Sequence, residues 1–118
     1  MPTLNRPALN SAAPVGLDVY LMHAGNRYLP SQIIALPTGS QFHLDLKATT
    51  SGTVKLQAIN PAGESSQVWA SELQGGQAVR TPDLKLQGQR GQERLRVVFV
   101  PASQTGVVVV EQVTVLHQ

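Results

Sequence analysis

Residues 41–49 read QFHLDLKAT, and the run TVKLQAIN follows at residues 53–60 after a short polar turn. In both runs every second residue is apolar, and the residues between them are mostly polar or charged. Side chains of a β-strand point alternately to its two faces, so this spacing predicts strands with one buried and one solvated face. Because only Thr50-Ser51-Gly52 separates them, the two runs predict a β-hairpin.

The rest of the chain alternates between similar apolar runs and turn-forming clusters. Further strands are predicted from GLDVYLM at 16–22, ERLRVVFV at 93–100 and GVVVVEQVTVL at 106–116, with shorter strands within 27–36, 67–70 and 78–87. About seven to nine short strands at spacings of roughly 8–12 residues are typical of a sandwich or a barrel. The apolar positions are mainly Val, Leu and Ile, which suit pleated sheets. We therefore predict an all-β fold, an antiparallel two-layer β-sandwich.

Several positions interrupt the strand pattern. Pro82 predicts an edge or a break within residues 78–87, because proline cannot donate to a ladder. Glu111 interrupts a run of valines, which indicates either a β-bulge near Glu111-Gln112 or a charged residue that breaks an aggregation-prone run. Only residues 66–73 and the stretch around Gln104 are compatible with a short helix.

Length and composition limit the classes of protein that are possible. The 118 residues fit one domain, which we expect at residues 16–118 after a flexible, proline-containing arm at residues 1–15. The absence of cysteine excludes disulfides and thiolate zinc sites. A formal net charge of +2 is too small to support nucleic-acid binding on electrostatic grounds, and no apolar run approaches the roughly 20 residues of a membrane span. We expect an envelope or secreted location if the native N-terminus carries a signal, and a cytoplasmic location otherwise.

No motif in the sequence predicts catalysis. There is no Gly-x-Ser-x-Gly elbow, no close carboxylate pair, and no glycine-rich loop that opens a helix. His43 and Asp45 share one strand face and are compatible with a general base and its orienting carboxylate, or with part of a metal site. The simpler interpretation is a solvated face that pairs across strands with Lys55, since two ligands leave a metal site incomplete. We predict no enzyme activity, no metal and no cofactor.

Basic residues concentrate in one segment of the chain. They are Arg80, Lys85, Arg90, Arg94 and Arg96. The segment indicates either an ordinary solvated face or a modest patch for an anionic partner, with Arg94 and Arg96 on the same strand face. A single-strand nucleic-acid binder also needs exposed aromatic side chains for stacking, and none lies among these basic residues.

Two apolar features are candidates for either the core or a partner surface. Trp69, the only tryptophan, is a candidate interface anchor or a residue at the rim of the core. Ile33-Ile34, beside Leu29-Pro30, form a second candidate apolar patch that we expect to lie in the core.

The order of turns resembles a bacterial domain family of unassigned function that is often attached to caspase-like peptidase domains or found in cell-envelope proteins. The matching pieces are Gly39–Leu44, Gly52–Leu56, Asn60–Gly63, Gly76-Gln77 and Gly91–Leu95. The resemblance covers about 85 residues, from Leu17 to Val100, and each piece is short. It implies an immunoglobulin-like sandwich with an accessory, non-catalytic role, and it supplies no catalytic residues. These 118 residues differ from a typical member of the family in that they include no peptidase domain themselves.

These observations favour a non-catalytic protein-interaction module, an accessory component of a bacterial envelope or secretion assembly. We expect the partner to be another protein that adds an extended segment to an edge strand, either residues 78–87 or the valine-rich residues 106–116. One alternative is a small-ligand or carbohydrate binder with a pocket lined by Trp69 or a tyrosine. A second is a weak nucleic-acid binder that uses Arg94 and Arg96.

Overall fold

The computed structural model describes residues 15–104 and 106–118, and every regular element within them is a β-strand. The strands are β1 (Leu17–His23), β2 (Asn26–Tyr28), β3 (Ile34–Leu36), β4 (Gln41–Ala48), β5 (Gly52–Ile59), β6 (Ser65–Leu73), β7 (Ala78–Arg80), β8 (Leu84–Lys85), β9 (Gly91–Pro101) and β10 (Val109–His117). They form two sheets packed face to face, which confirms the predicted two-layer sandwich. Of the arm predicted at residues 1–15, residues 1–14 lie outside the described ranges, and Val15 packs against the core.

The first sheet has the strand order β2-β1-β4-β7, and β8 also pairs with β4, beside β7. β7 and β8 are separated at Thr81-Pro82-Asp83, where the predicted break occurs. The buried Thr81 keeps the ladder continuous across this break: its amide donates to the Leu44 carbonyl, and its hydroxyl accepts from the Leu44 amide at 2.9 Å. The side chain thus takes over a hydrogen bond that the interrupted strand would otherwise lose.

The second sheet has the strand order β3-β10-β9-β5-β6. Its β3–β10 pair is parallel, so this sheet is mixed, whereas the sequence predicted antiparallel sheets. β9 and β10 keep one unbroken register from Val109↔Phe99 to His117↔Gly91, which shows that the bulge expected near Glu111-Gln112 is absent from this pair. The register shift lies instead between Leu56 and Gln57, in the pairing of β5 with β6.

The hairpin predicted from residues 41–60 is wrong. β4 belongs to the first sheet and β5 to the second, so the chain crosses between the sheets at residues 49–51. Alternating apolar residues specify which face of a strand is buried, and β4 buries the expected face along its length. β5 does so up to Leu56, and beyond the register shift Ile59 is buried instead of Ala58. The alternation does not indicate which strand is its neighbour in the sheet. Two strands joined by a crossing between sheets show the same alternation as two strands joined in a hairpin.

The core fills the space between the sheets with aliphatic side chains and two phenylalanines. Its least exposed members include Leu44, Leu46, Leu56, Val97 and Phe99, each at 1% exposure or less. Phe42 and Phe99 are both buried, as predicted. Burying a side chain of this size contributes about 1.5–3 kcal/mol to folding. The core therefore supplies the main stabilisation of a chain that has no disulfide.

Two further expectations differ from the structure. The segment considered for a helix at residues 66–73 is strand throughout, because β6 pairs along its whole length with β5. The patch expected in the core is largely exposed: Leu29 is 50% and Ile33 is 65% accessible, although Ile34 does pack against the core. Leu29 and Ile33 lie on the connection between β2 and β3, which passes from one sheet to the other along the side of the sandwich.

Gly52 fixes the crossing from β4 to β5. A Cβ atom at this position would overlap the Val100 carbonyl oxygen and lie 2.8 Å from the Phe99 ring. We expect Gly52→Ala to lower the free energy of unfolding by about 1–3 kcal/mol, the usual effect of overpacking. Gly16→Ala is the matched control, because its Cβ would meet only Thr49 at an ordinary 3.4 Å. Equal urea midpoints for the two variants would contradict this account of the crossing.

Candidate functional site

The residues singled out from the sequence do not form one surface. Arg80 and Lys85 lie in the first sheet, and Arg94 and Arg96 lie in the second, so the basic segment is divided between opposite layers of the sandwich. Trp69 lies on β6 at the far edge of the second sheet, partly buried and packed against the core. This position agrees with the expected core rim.

The polar cluster around His43 lies on the outer face of the first sheet and contains one ion pair, between Arg80 and Asp45. Arg80 Nε donates to Asp45 Oδ1 at 3.0 Å. This hydrogen bond and the negative charge of Asp45 raise the pKa of Arg80. His43 lies 3.7 Å from Asp45 and 3.5 Å from Asp83, measured from ring nitrogen to carboxylate oxygen. The cross-strand partner of Asp45 is thus Arg80, and the expected pairing with Lys55 is wrong because Lys55 belongs to the other sheet.

This cluster does not provide the geometry of a metal site. Within the described part of the chain, no three His, Asp or Glu side chains are placed to hold a metal ion together. Asp45 already accepts from Arg80, which competes for the carboxylate oxygen. Among the same residues there is also no helix of the length and apolarity that a membrane span requires.

A second buried polar group, at the end of the sandwich, has a structural role. His117 is 2% exposed, and its Nδ1 donates to the Gln89 carbonyl at 2.9 Å, since a carbonyl can only accept. Its Nε2 forms a second hydrogen bond, 2.7 Å long, with the Thr38 hydroxyl. The imidazole therefore ties the end of β10 to the loops before β4 and before β9.

The edges of the sheets differ in how well they are protected from pairing with another chain. β7 and β8 have three and two residues and are interrupted by Pro82. β6 is longer, but it contains three serines and carries the bulge opposite Leu56 and Gln57. Short strands, prolines and bulges are the usual devices that prevent edge-to-edge pairing. These two edges are therefore protected.

The edge of β10 is protected over only part of its length. β3 pairs with Val115–His117 alone, and across residues 109–114 no described strand lies on that side of β10. The Gln118 amide donates to the Leu36 carbonyl, on the β3 side. Because backbone groups alternate in direction along a strand, the other even-numbered residues point their amides and carbonyls the same way. Val110 and Gln112 therefore present N–H and C=O groups outward, along what we call the open edge.

β1 in the first sheet is open at the corresponding place. β2 pairs only with Leu21–His23, and the Gly16 carbonyl accepts from Thr49 on the β4 side. By the same alternation, Leu17 and Val19 direct their backbone groups away from β4, where no described strand lies beside them. The two open stretches belong to strands that contact each other across the sandwich. Between them lies a hollow of about 150 Å³.

The hollow lies between β1, β10 and the β2–β3 connection, which borders it with Leu29 and Pro30. Its lining includes Leu17, Val19, Leu29, Pro30 and Glu111. Five of the seven large apolar side chains that are exposed in the described ranges lie on β10, just before it, or on the β2–β3 connection: Leu29, Ile33, Val108, Val110 and Leu116. Unpaired backbone and exposed apolar side chains at one edge are the features that an added strand would cover.

Glu111 is the one charged side chain on β10, and it lies on the inward side of the open edge. Its register partner is Val97, which is fully buried, and its odd-numbered neighbours Val113 and Val115 belong to the core. Glu111 itself stays partly exposed because β10 has no neighbour on this side. An inward-pointing charge is a recognised protection for an edge strand. This position supports the interpretation of Glu111 as a charged breaker and not as a bulge.

Other hollows bear on the ligand-binding alternative. An open cleft of about 820 Å³ at one end of the sandwich is lined by Gly52, Leu73, Gln74 and Pro101 among others, and neither Trp69 nor a tyrosine lines it. A hollow of about 310 Å³ on the first sheet does include Tyr20. The Arg27 guanidinium lies 4.4 Å from the centre of that ring and occupies one of its faces.

Comparison with known proteins provides no relative, since neither a protein-family model nor a curated protein sequence matches the chain. The structure defines a two-layer β-sandwich with an open edge on one side. The sequence signal for this edge was the valine run interrupted by Glu111. Nothing in the sequence indicated that β3 would cover only three residues of β10, because that depends on how far the strands extend.

Burial raises the pKa of Glu93 above its usual value of 4.5, and the nearby His117 opposes part of this effect. A raised folded-state pKa means that the protonated carboxyl favours folding, so its contribution is full below pH 4.5 and is lost as the pH rises through the folded value. We expect Glu93→Gln to be more stable than the natural protein at pH 7 and equally stable near pH 3, measured as urea midpoints. Glu72→Gln, the same change at an exposed residue, is the control. A constant difference at both pH values would contradict the assignment.

The direction of backbone groups along β10 is testable with proline. The Gln112 amide points to the open edge, so Gln112→Pro removes no hydrogen bond of the fold, and we expect a loss of about 1 kcal/mol or less. The Glu111 amide points to β9, so Glu111→Pro is the matched neighbour and should cost about 3 kcal/mol or more. Thermal unfolding of both variants provides the measurement. Equal destabilisation would show that the assigned alternation is wrong.

Proposed function

We propose that the domain is a non-catalytic protein-interaction module that binds an extended segment of a partner protein along the open edge of β10. The observation that carries this proposal is the unpaired backbone of β10 at Val110 and Gln112, beside the unpaired start of β1. Added strands bind through main-chain hydrogen bonds, and side-chain positions that alternate between two faces provide specificity.

The stretch of β10 without a paired strand has the length of a short segment. It covers residues 109–114, and an extended segment advances about 3.3 Å per residue. The β2–β3 connection borders this stretch, since Leu29 and Pro30 line the same hollow as Glu111, so a partner segment of roughly five to seven residues would displace that connection when it pairs with β10. The segment would also cover the exposed Val110 and close the hollow beside Leu17 and Val19. Of the two edges expected from the sequence, this argument favours residues 106–116 over residues 78–87.

The alternatives have less support. A small-ligand or carbohydrate site would use the hollow at Tyr20, where Arg27 already covers one ring face. A nucleic-acid site would use Arg94 and Arg96, whose register partners Thr114 and Gln112 provide no aromatic ring for stacking. The immunoglobulin-like family, the bacterial origin and the role in an envelope or secretion assembly stay predictions from the sequence.

A synthetic peptide tests strand addition directly. We expect an acetylated heptapeptide of alternating Thr and Val, with a central Lys, to bind the ¹⁵N-labelled domain at millimolar concentration. The amides of Val110 and Gln112 should shift and become protected from hydrogen exchange, because they gain carbonyl partners. Val113, whose amide already faces β9, is the internal control.

The variant Gln112→Pro separates strand addition from other binding. It keeps the fold but lacks the amide that the peptide must engage, so we expect binding to fall at least tenfold. The proposal fails if the peptide causes no shifts in the natural protein, or if the shifts map to β6 or β7 instead of β10.

A further inference from the structure

We infer that the outer face of the second sheet binds an acidic segment of a partner protein through three cations, Lys55, Arg94 and Arg96. We call the surface formed by these three side chains the basic face. It is distinct from the open edge, because it uses side chains that point away from the sandwich and no unpaired backbone. The inference therefore does not rest on the proposed function.

The strand register brings the three cations together from two neighbouring strands. Arg94 and Arg96 are two residues apart on β9, so they point to the same face and lie about 7 Å apart along the strand. Lys55 on β5 pairs with Val98, which makes it a diagonal neighbour of Arg96 at about 7–8 Å. The residues that alternate with them on both strands belong to the core, so all three cations point outward.

The basic face is open to solvent. Lys55 is exposed, and two outward valines of the same sheet, Val100 and Val110, are 41% and 51% accessible. Arg94 and Arg96 are partly exposed, which fits long side chains whose aliphatic stems cover the sheet while the charged groups stay in water. A partner therefore has access to the cations without any rearrangement of the fold.

None of the three cations has an acidic neighbour directly across the strands. Their register partners are uncharged: Gln57 and Gln112 for Arg96, Ile59 and Thr114 for Arg94, and Val98 and Ala70 for Lys55. Glu72 is the one acidic residue at a diagonal position, beside Lys55, and no ion pair of the described residues joins the two. Glu64, in the turn after β5, accepts from the Asn60 side chain at 2.8 Å instead.

The outer face of the first sheet has a different distribution of charge. There Asp45 accepts a hydrogen bond from Arg80, and Asp18 lies opposite Lys47 in the register. Opposite charges therefore stand beside each other on the first sheet, whereas the cations of the second sheet have no counter-charge. Complementary charge directs association between proteins, so the second sheet is the face that favours an anionic partner.

The side chains around the cations favour a polypeptide over a nucleic acid. Val98 and Val110 are register partners beside Lys55, and Val100 follows on the same face of β9. A segment with apolar residues between its carboxylates can contact both the valines and the cations. Binding of single-stranded nucleic acid uses aromatic rings for stacking, and none of the outward residues of β5, β9 and β10 is aromatic.

The chain itself does not provide such an acidic segment. Residues 1–14 contain Arg6 as their only charged side chain, so they would be repelled. A second copy would present the first-sheet carboxylates, of which Asp45 is already bonded to Arg80 and Asp18 faces Lys47. The occupant that matches the basic face is therefore an acidic segment of another protein.

Two synthetic peptides test the requirement for negative charge. One alternates Glu with Ser and Val, and the other has Gln in place of every Glu. We expect the acidic peptide to shift the Nε–H signals of Arg94 and Arg96 and the amide of Lys55 in the ¹⁵N-labelled domain. Exposed ion pairs are individually weak, so the Gln peptide should bind about five- to tenfold less tightly. Raising the salt from about 20 mM to about 300 mM should weaken only the acidic peptide.

Variants of the protein assign the binding to the basic face. Lys55→Gln and Arg96→Gln should each weaken the acidic peptide about two- to fivefold. Lys85→Gln removes an exposed lysine of the first sheet, so it is the matched control and should leave the affinity unchanged. Because Lys55 is fully on the surface, Lys55→Gln provides the test even if Arg96→Gln lowers the urea midpoint.

The outcomes separate this inference from strand addition. Shifts at Lys55 and Arg96 without added hydrogen-exchange protection at Gln112 support it, whether or not β10 also binds an added strand. Equal affinities for the two peptides, or equal losses in Lys85→Gln and Lys55→Gln, would overturn it. If an oligodeoxythymidine binds more tightly than the acidic peptide at the same salt concentration, the basic face binds phosphates and the assignment to a protein segment is wrong. Absence of any peptide binding overturns the inference and leaves the open edge of β10 to its own test.

Discussion

The contact between Gly52 and the Phe99 ring organises the sandwich. Phe99 lies fully buried on β9, and β5 can lie beside it only because residue 52 has no side chain. That contact sets the point at which the chain leaves the first sheet and enters the second. Once β5 pairs with β9, β6 is placed at one end of the second sheet and β10 remains available to form the other side.

Strand pairing is incomplete on the side of the sandwich formed by β1 and β10. β2 and β3 are three residues each, so they cover only the last part of the strands they pair with. No described strand pairs with the remaining outer backbone groups of β1 and β10. Exposed apolar side chains, among them Leu29 and Val110, lie on the same side of the sandwich. Glu111 lies at this hollow beside Leu17 and Val19 and stays partly exposed.

Individual residues show which predictions from sequence succeed. Phe42 and Phe99 were assigned to the core from alternation alone, and the assignment is confirmed because periodicity reports burial directly. Leu29 and Ile33 were assigned to the core from their apolarity, and they are exposed because the connection they occupy runs outside the sheets. Arg80 and Arg94 are fourteen positions apart in sequence and lie in opposite layers. The basic residues are close in sequence but do not form one patch on the surface.

The sequence by itself determined the all-β class, the positions of most strands and the face that each one buries, because these properties depend on side chains at neighbouring positions. Only the tertiary structure decided that residues 41–60 cross between sheets and that β10 keeps an unpaired stretch beside Glu111. Strand neighbours are set by contacts between distant segments, such as Gly52 with Phe99, and these leave no local pattern. For the same reason the sequence does not predict the candidate site, because its location depends on where β2 and β3 end.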